Sequence, residues 1–343
     1  MRVLFIGGTG NISTACVQRA LAVGHRVTIL TRGQRPAEFG GAVEEFHGDR
    51  NDPAALAELA GRQFDVVANF LGFTPAQVEQ DLSAFAGQVG QYVFVSTASA
   101  YRKPPSSPVI TESTPLGNPF WQYAQDKIAC EERLMRAHRE AGFPVTIVRP
   151  SYTVGPTWIP SSVGGHGYTV VGRMRRGQPI ISHGDGQSLW VMTSADDLAV
   201  GFVGLFGREQ AIGEAFHITS DEVLTWDGIY RTIARAAGVR AEIVHIPSEA
   251  IAVMVPRFGP GLLGDKMYST VFDNAKIRRL VPGFTAPTSF AEVVARSLAW
   301  HDADPARQVI DEEVSRLMDG LIAAYRGFLD GIRPRPEHPL QWA

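Results

Sequence analysis

The first half of the chain alternates short apolar runs with stretches of helical period. Residues 3–6 form an apolar run of strand length that breaks at Gly7-Gly8, and a helical period follows over about 11–23, stopped by Gly24. Residues 26–30 and 43–46 repeat the strand pattern before a helix that starts near Asp52. Residues 66–68 and 92–95 read as two more buried strands, with a helix over 75–86 between them. A longer helix is predicted over about 121–141, closed by Gly142 and Pro144, and 145–148 supplies a further strand. Strands alternating with helices of roughly 10–15 residues predict an α/β fold built on a doubly wound parallel sheet.

The second half is less regular. Residues 155–186 are rich in Gly, Pro and Ser, a composition that predicts loops around a binding cleft. Strand-like 215–219 and 242–246 flank a helix over 225–237, and the chain ends with helices near 290–301 and 311–329. A smaller C-terminal lobe over the sheet's carboxyl edge is the natural arrangement, because ligands of such sheets bind in that crevice.

Composition narrows the function. The 343 residues suit one large α/β body with a second lobe. A net charge of -3 gives no electrostatic case for a nucleic-acid or anionic-membrane partner. Cys16 and Cys130 are the two cysteines; they predict a reducing, cytoplasmic setting without a disulfide framework or zinc site. The nine histidines show no ligand spacing, so no metal is expected. No apolar stretch reaches the length of a membrane span, and residues 1–6 are too short for a signal-peptide core.

Chemistry enters at Gly7-Gly8-Thr9-Gly10-Asn11-Ile12-Ser13, between the first strand and the first helix. Gly8 and Gly10 match the first two glycines of a G-x-G-x-x-G turn, with Ser13 in the third place. Small residues here let the backbone approach a pyrophosphate while the helix N-terminus offers unpaired N–H groups. After the second strand, Thr31-Arg32-Gly33 stands where an NAD site usually carries an acid for the ribose 2′-hydroxyl. Arg32, with Arg35, suits a 2′-phosphate instead, which favours NADP(H) over NAD(H). Asp49 could face the adenine, although a solvated loop acid is nearly as good a reading. Residues 1–155, 189–222 and 241–252 are assigned to this dinucleotide-binding domain, and 156–188, 223–240 and 253–343 to a substrate-binding lobe.

Tyr123 and Lys127 are four apart on the predicted long helix, hence on one face. With eight Tyr and four Lys in the chain, a chance Tyr-x-x-x-Lys is expected only about 0.1 times, so its place after the fifth strand is informative. Together with this pair, Gly7-Gly8-Thr9-Gly10, the run Val93-Phe94-Val95-Ser96-Thr97-Ala98-Ser99-Ala100-Tyr101, the segment Arg149 to Pro156, and Asp196-Asp197-Leu198-Ala199 resemble the extended short-chain dehydrogenases/reductases of the NAD-dependent epimerase/dehydratase type. The resemblance covers nearly the whole chain and implies a Rossmann-type sheet. It also implies that Tyr123 is the acid/base, that Thr97 supplies a hydroxyl at the reacting oxygen, and that Lys127 binds the nicotinamide ribose. Pro150 would lie beside the nicotinamide, and dimerisation through the Tyr123 helix would follow. Phe70 and Leu71 are expected as an apolar wall beside the cofactor, or as plain core. A tyrosine base at neutral pH needs its pKa lowered by some 3 units, near 4 kcal/mol. One cation about 5 Å away offers about 3 kcal/mol at an effective dielectric of about 20.

Departures from the family narrow the reaction. Ala98 and Ser99 stand where 4,6-dehydratases carry an Asp–Glu pair, which disfavours water elimination. Trp190 stands where many nucleotide-sugar members carry a diphosphate-binding Arg, and Tyr152 where several epimerases carry an amide. Arg149, Arg173, Arg175 and Arg176 are the remaining phosphate candidates. Ser99, Tyr152, His183 and Trp190 are the candidate substrate contacts, in an aromatic-lined pocket shared with Trp158, His166 and Tyr168. The expected activity is an NADP(H)-dependent oxidation or reduction of a secondary alcohol or ketone of a small metabolite. An epimerase using the same site is the alternative, and a non-catalytic dinucleotide sensor or RNA- or protein-binding relative is the reading from another class.

Overall fold

The computed structural model describes residues 1–35 and 39–332. Seven strands make the main sheet: β1 (Arg2–Ile6), β2 (Arg26–Thr31), β3 (Val43–His47), β4 (Phe64–Asn69), β5 (Val89–Val95), β6 (Val145–Val148) and β7 (Ala215–Phe216). Their order is β7-β6-β5-β4-β1-β2-β3, and every pairing is parallel. The chain leaves β1 toward β2 on one side and returns to β4 on the other. That reversal opens a crevice at the carboxyl ends of β1 and β4, where ligands of doubly wound sheets sit.

Two helical layers explain why the central strands read as unbroken apolar runs. On one face α1 (Ser13–Ala22) packs Ala15, Cys16, Val17 and Ala20 on Val3 and Phe5. On the other, α2 (Pro53–Ala60), α3 (Pro75–Phe85) and α4 (Gln122–Ala141) bury Leu56, Leu82 and Leu134 with Leu4, Ile6 and Val67. The helix α5 (Ala195–Gly204) completes the first layer with Leu198 and Phe202. Local chemistry fixes the ends. Asp52 caps α2, Thr74 and Gln77 form a capping box at α3, and Gly142 closes α4 at φ +68°.

A separate apolar cluster, from Val154 through Trp190 and Trp226 to Ile322, is the core of the C-terminal lobe. Trp190 and Met192, assigned from sequence to the sheet domain, belong to it, and further segments also depart from the sequence assignment. Residues 241–252 were assigned to the sheet domain, but Ile243–Ile246 pairs with Ile180–His183 and Ile246 and Ile251 belong to the lobe core. Within 253–343, Ile277, Val281 and Phe284 pack under the sheet instead, while 333–343 lie outside the described residues. Residues 155–186 are not all loop: they hold the helix Thr169–Arg175 and the strand Ile180–His183. Both are too short for a periodic signature and are held by burial against neighbours distant in sequence. Among the described residues no helix is long and apolar enough to cross a membrane.

Candidate active site

The glycine turn after β1 is shaped by its neighbours. Gly7 has φ +81°, and a Cβ on Gly8 would stand 2.7 Å from Ile29 Cγ2, so the turn has no room for a larger residue. The helix α1 opens without a side-chain cap; Thr14 N–H is taken by Gly10 O at 3.0 Å, and the other N–H groups of the first turn are left for an anion. Ser13 changes one detail, since its Oγ accepts the Gly10 N–H at 2.9 Å. Asn11 serves as a staple. Its Nδ2 donates to Thr153 O at 2.9 Å and its Oδ1 accepts from Gly155 N at 2.8 Å, tying the turn to the segment after β6.

The turn is one end of a cleft of about 790 Å³. Gly7, Gly8, Thr9, Gly10, Asn11, Ile12, Arg32, Arg35, Asp49, Phe70, Leu71, Lys127 and Pro150 all line it, together with Thr97 and Tyr123. The sequence-derived cofactor residues and catalytic residues therefore share one space. Arg32 and Arg35 are exposed at its rim. Asp49 turns its Oδ1 back to Asn51 N–H at 2.9 Å, which gives it a loop-shaping role as well. Phe70 lines the cleft while packing on Phe5 and Phe202, with ring centroids 6.0 and 5.2 Å away. Wall and core are the same side chain. Arg50, which the sequence did not single out, also lines the cleft and is buried on Asp81 at 2.7 Å.

At the far end α4 presents Tyr123 and Lys127. Lys127 is almost fully buried, and its ammonium donates to Gly72 O at 2.6 Å and Val95 O at 2.7 Å. Two of its three protons are thus taken by the loop after β4 and the end of β5, and one remains for a ligand. Burial lowers its pKa to about 8, against smaller upward pulls from Cys130 and Glu131. Tyr123 is half-buried beside it, the ammonium lying 5.9 Å from the ring centroid. Burial raises the Tyr123 pKa; a hydrogen bond with Thr97 pulls it back, and the Asp265 carboxylate pushes it up further. Without a cofactor, desolvation therefore outweighs the help that the sequence reading expected from Lys127. Thr97 sits at the end of β5, where Ala98 N donates to Pro150 O at 2.8 Å and fixes the loop. Beneath it Glu131 accepts from Ser96 and takes a bidentate pair with Arg149.

The four candidate substrate contacts separate. Ser99 is buried directly behind Thr97, with 3.1 Å between the two hydroxyls. Tyr152, His183 and Trp190 pack in the lobe interior and are not part of the cleft lining. Trp190 Nε1 donates to Lys266 O at 3.1 Å and His183 bonds the same carbonyl at 2.7 Å. Burial takes the His183 pKa to about 4. Trp158, stacked on His166 at 3.4 Å, does reach the cleft. All four candidate phosphate arginines are engaged with carboxylates: Arg149 with Glu131, Arg173 with Asp319, Arg175 with Asp302 and Arg176 with Glu312. Asp265 and Lys103, like Arg50, are residues the sequence reading did not single out. Asp265 reaches Ser99 across 166 positions of sequence, and no local pattern signals that.

Fold and cleft together define a Rossmann-type dinucleotide site carrying a Tyr–Lys pair. Residues 3–218 match the family model described as NAD dependent epimerase/dehydratase family, and the chain belongs to that family. It is thereby an NAD(P)-dependent oxidoreductase or epimerase of the extended short-chain type. A curated relative is the 2'-dehydrokanamycin reductase of Streptomyces kanamyceticus, 28% identical over 287 residues, 83% of this chain and 80% of the relative. Another is the chloroplast stem-loop binding protein of 41 kDa b of Arabidopsis thaliana, 28% identical over 264 residues, 71% of this chain and 65% of the relative. Among solved structures, UDP-glucuronic acid 4-epimerase from Bacillus cereus in complex with UDP-glucuronic acid and NAD shares the fold at a TM-score of 0.70. It is 18% identical and covers 88% of this chain and 99% of its own.

Proposed function

We propose that this chain is an NADP(H)-dependent oxidoreductase that interconverts a secondary alcohol and a ketone on a small, non-nucleotide metabolite. The observation that carries the reading is the convergence of Tyr123, Thr97 and Lys127 in the cleft that begins at the glycine turn. The residues fit a dinucleotide. The uncapped start of α1 suits its pyrophosphate, the last Lys127 proton its nicotinamide ribose, and Arg32 with Arg35 a 2′-phosphate. When bound, the nicotinamide supplies or accepts the hydride. Tyr123 holds the proton at the reacting oxygen, Thr97 fixes that oxygen by hydrogen bonding, and Lys127 stabilises negative charge on the phenol. Burial keeps the phenol protonated, the form that donates to a ketone oxygen.

Two observations favour reduction of a plain metabolite over epimerisation of a nucleotide sugar. The candidate phosphate arginines are already paired, and Trp190 is buried where a diphosphate contact would stand. The reductase relative acts, by its name, on a dehydro-aminoglycoside, and a keto group on a glycoside-like molecule is the substrate class proposed here. The retained Tyr–Lys pair speaks for an enzyme over a non-catalytic binder. Free, buried Cys16 and Cys130 suit a reducing cytoplasm, and pairing of two copies through α4 is the expected assembly.

The test is to supply NADPH or NADH with a panel of keto-glycosides and to incubate UDP-sugars in parallel. Net NADPH oxidation with formation of the alcohol is the expected result. Inversion of a UDP-sugar without net cofactor consumption would establish the epimerase instead. Titration by cofactor fluorescence should show NADPH bound more tightly than NADH, and equal affinities would remove the role given to Arg32.

A further inference from the structure

Behind the cleft wall lies a carboxylate that no sequence motif signals. Asp81 of α3 is fully buried. Its Oδ1 accepts from the Arg50 guanidinium at 2.7 Å, and Arg50 lines the cleft next to Asp49, at the end expected to take the adenine. Two further contacts of that guanidinium, with Gln80 Oε1 and Gln77 O, are long at 3.4 Å. Its buried Nε has no partner among the described residues. The wall at this end therefore hangs on one short ion pair.

The other oxygen serves the opposite end. Asp81 Oδ2 accepts from Asn69 Nδ2 and from Tyr92 Oη, each at 2.7 Å. A carboxylate only accepts, so the Asn69 amide must turn its NH2 toward it. Asn69 Oδ1 is thereby left to accept from Leu71 N at 2.7 Å, and that bond fixes the loop after β4. Leu71 packs on the glycine turn, where a Cβ on Gly7 would stand 2.8 Å from Leu71 Cγ. The next residue, Gly72, takes the Lys127 ammonium on its carbonyl at 2.6 Å.

We propose that Asp81 is a positioning residue for the dinucleotide, and that its ionised form locks both ends of the cleft in the binding geometry. The inference rests on the dinucleotide reading of the cleft and not on the ketone chemistry. A proton on either oxygen turns an acceptor into a donor, facing the Arg50 N–H on one side or the Asn69 and Tyr92 donors on the other. One arm is then released. Burial raises the Asp81 pKa to about 6, against the pull of Arg50 and the hydrogen bonds, so the release falls in an accessible range. The titratable and charged groups facing Asp81 are Arg50 from the loop after β3, Tyr92 from β5 and Cys130 from α4. Burial holds the phenol and the thiol protonated, and the guanidinium stays charged. Within this cluster Asp81 alone changes charge between pH 5 and pH 7.

The test is calorimetric titration of the free protein with ADP-ribose, whose pyrophosphate is ionised throughout this range. Affinity should fall about tenfold from pH 7 to pH 5, the ratio of ionised fractions for a pKa of about 6. Binding at pH 6 should release about half a proton, because the complex keeps Asp81 ionised. D81N should bind at pH 7 as weakly as the wild type does at pH 5, without the further fall. N69A keeps the Arg50 pair and cuts the other arm. It should lose about fivefold or more in NADPH affinity and stay within about twofold for ADP-ribose. A wild-type affinity that is flat from pH 7 to pH 5, or a D81N that binds as the wild type does, would mean a cluster that only stabilises the fold and would overturn the proposal. So would an N69A that weakens both ligands equally. Should D81N fail to fold, the wild-type pH profile and proton release decide alone. No ADP-ribose binding at any pH would sink the dinucleotide reading of the cleft, and the role of Asp81 with it.

Discussion

Lys127 shows how one side chain carries both fold and function. Its ammonium bridges Gly72 O in the loop after β4 and Val95 O at the end of β5, so it ties the carboxyl ends of neighbouring strands together beside the cleft. The Tyr-x-x-x-Lys spacing was legible because helical geometry alone puts the two on one face. The ammonium's carbonyl partners were not, since they lie 55 and 32 residues away. Burial lowers the Lys127 pKa to about 8, against about 10.4 in an unfolded chain. Between these values the unfolded chain binds more protons, so stability should rise with pH over that window. The rise is on the order of 3 kcal/mol at most. Urea midpoints at pH 8 and pH 10 should show it in the wild type and not in K127M. At the cleft rim R32A should cost NADPH about 10–100-fold in affinity, the worth of a charge-assisted hydrogen bond, and leave NADH nearly unchanged in the same fluorescence titration.

At the scale of elements, the turn after β1 and the contact between α3 and the sheet are the joints that position the cleft. A methyl on Gly8 would press Ile29 on the neighbouring strand, so G8A should destabilise by about 1–3 kcal/mol in urea unfolding and weaken dinucleotide binding as well. Behind the cleft Asp81 on α3 gathers Asn69 from β4, Tyr92 from β5 and the Arg50 guanidinium, each at 2.7 Å. Burial nevertheless raises its pKa to about 6, outweighing the cation and the hydrogen bonds. D81N would strand a buried guanidinium and should cost about 3 kcal/mol of stability, measured by the same unfolding experiment. The seven main strands and the helices α1 to α4 were readable from apolar runs and helical periods, to within a few positions; α5 was not predicted. The lobe's short elements were not, for Ile180–His183 and Ile243–Ile246 find each other across 63 positions of sequence and neither carries a period of its own.

For the whole molecule, the division of labour is clear. The N-terminal sheet supplies a dinucleotide cleft whose predicted residues all converge, because glycine turns and a Tyr–Lys helix are local patterns with local geometry. The C-terminal lobe supplies what sequence could not show. Tyr152, His183 and Trp190 pack in its interior and not in the cleft lining, and Asp265 reaches Ser99 from it. Aromatic residues in a loop-rich stretch look alike whether they line a pocket or fill a core, so their roles waited on the packing. The proposed chemistry depends on the Tyr123 hydroxyl. The decisive measurement compares Y123F with the wild type for NADPH affinity and for single-turnover reduction of the keto substrate. Affinity should stay within about twofold while the rate drops about 10²–10⁴-fold, the contribution of a positioned acid; a Y123F enzyme that reduces the ketone at the wild-type rate would contradict the assignment.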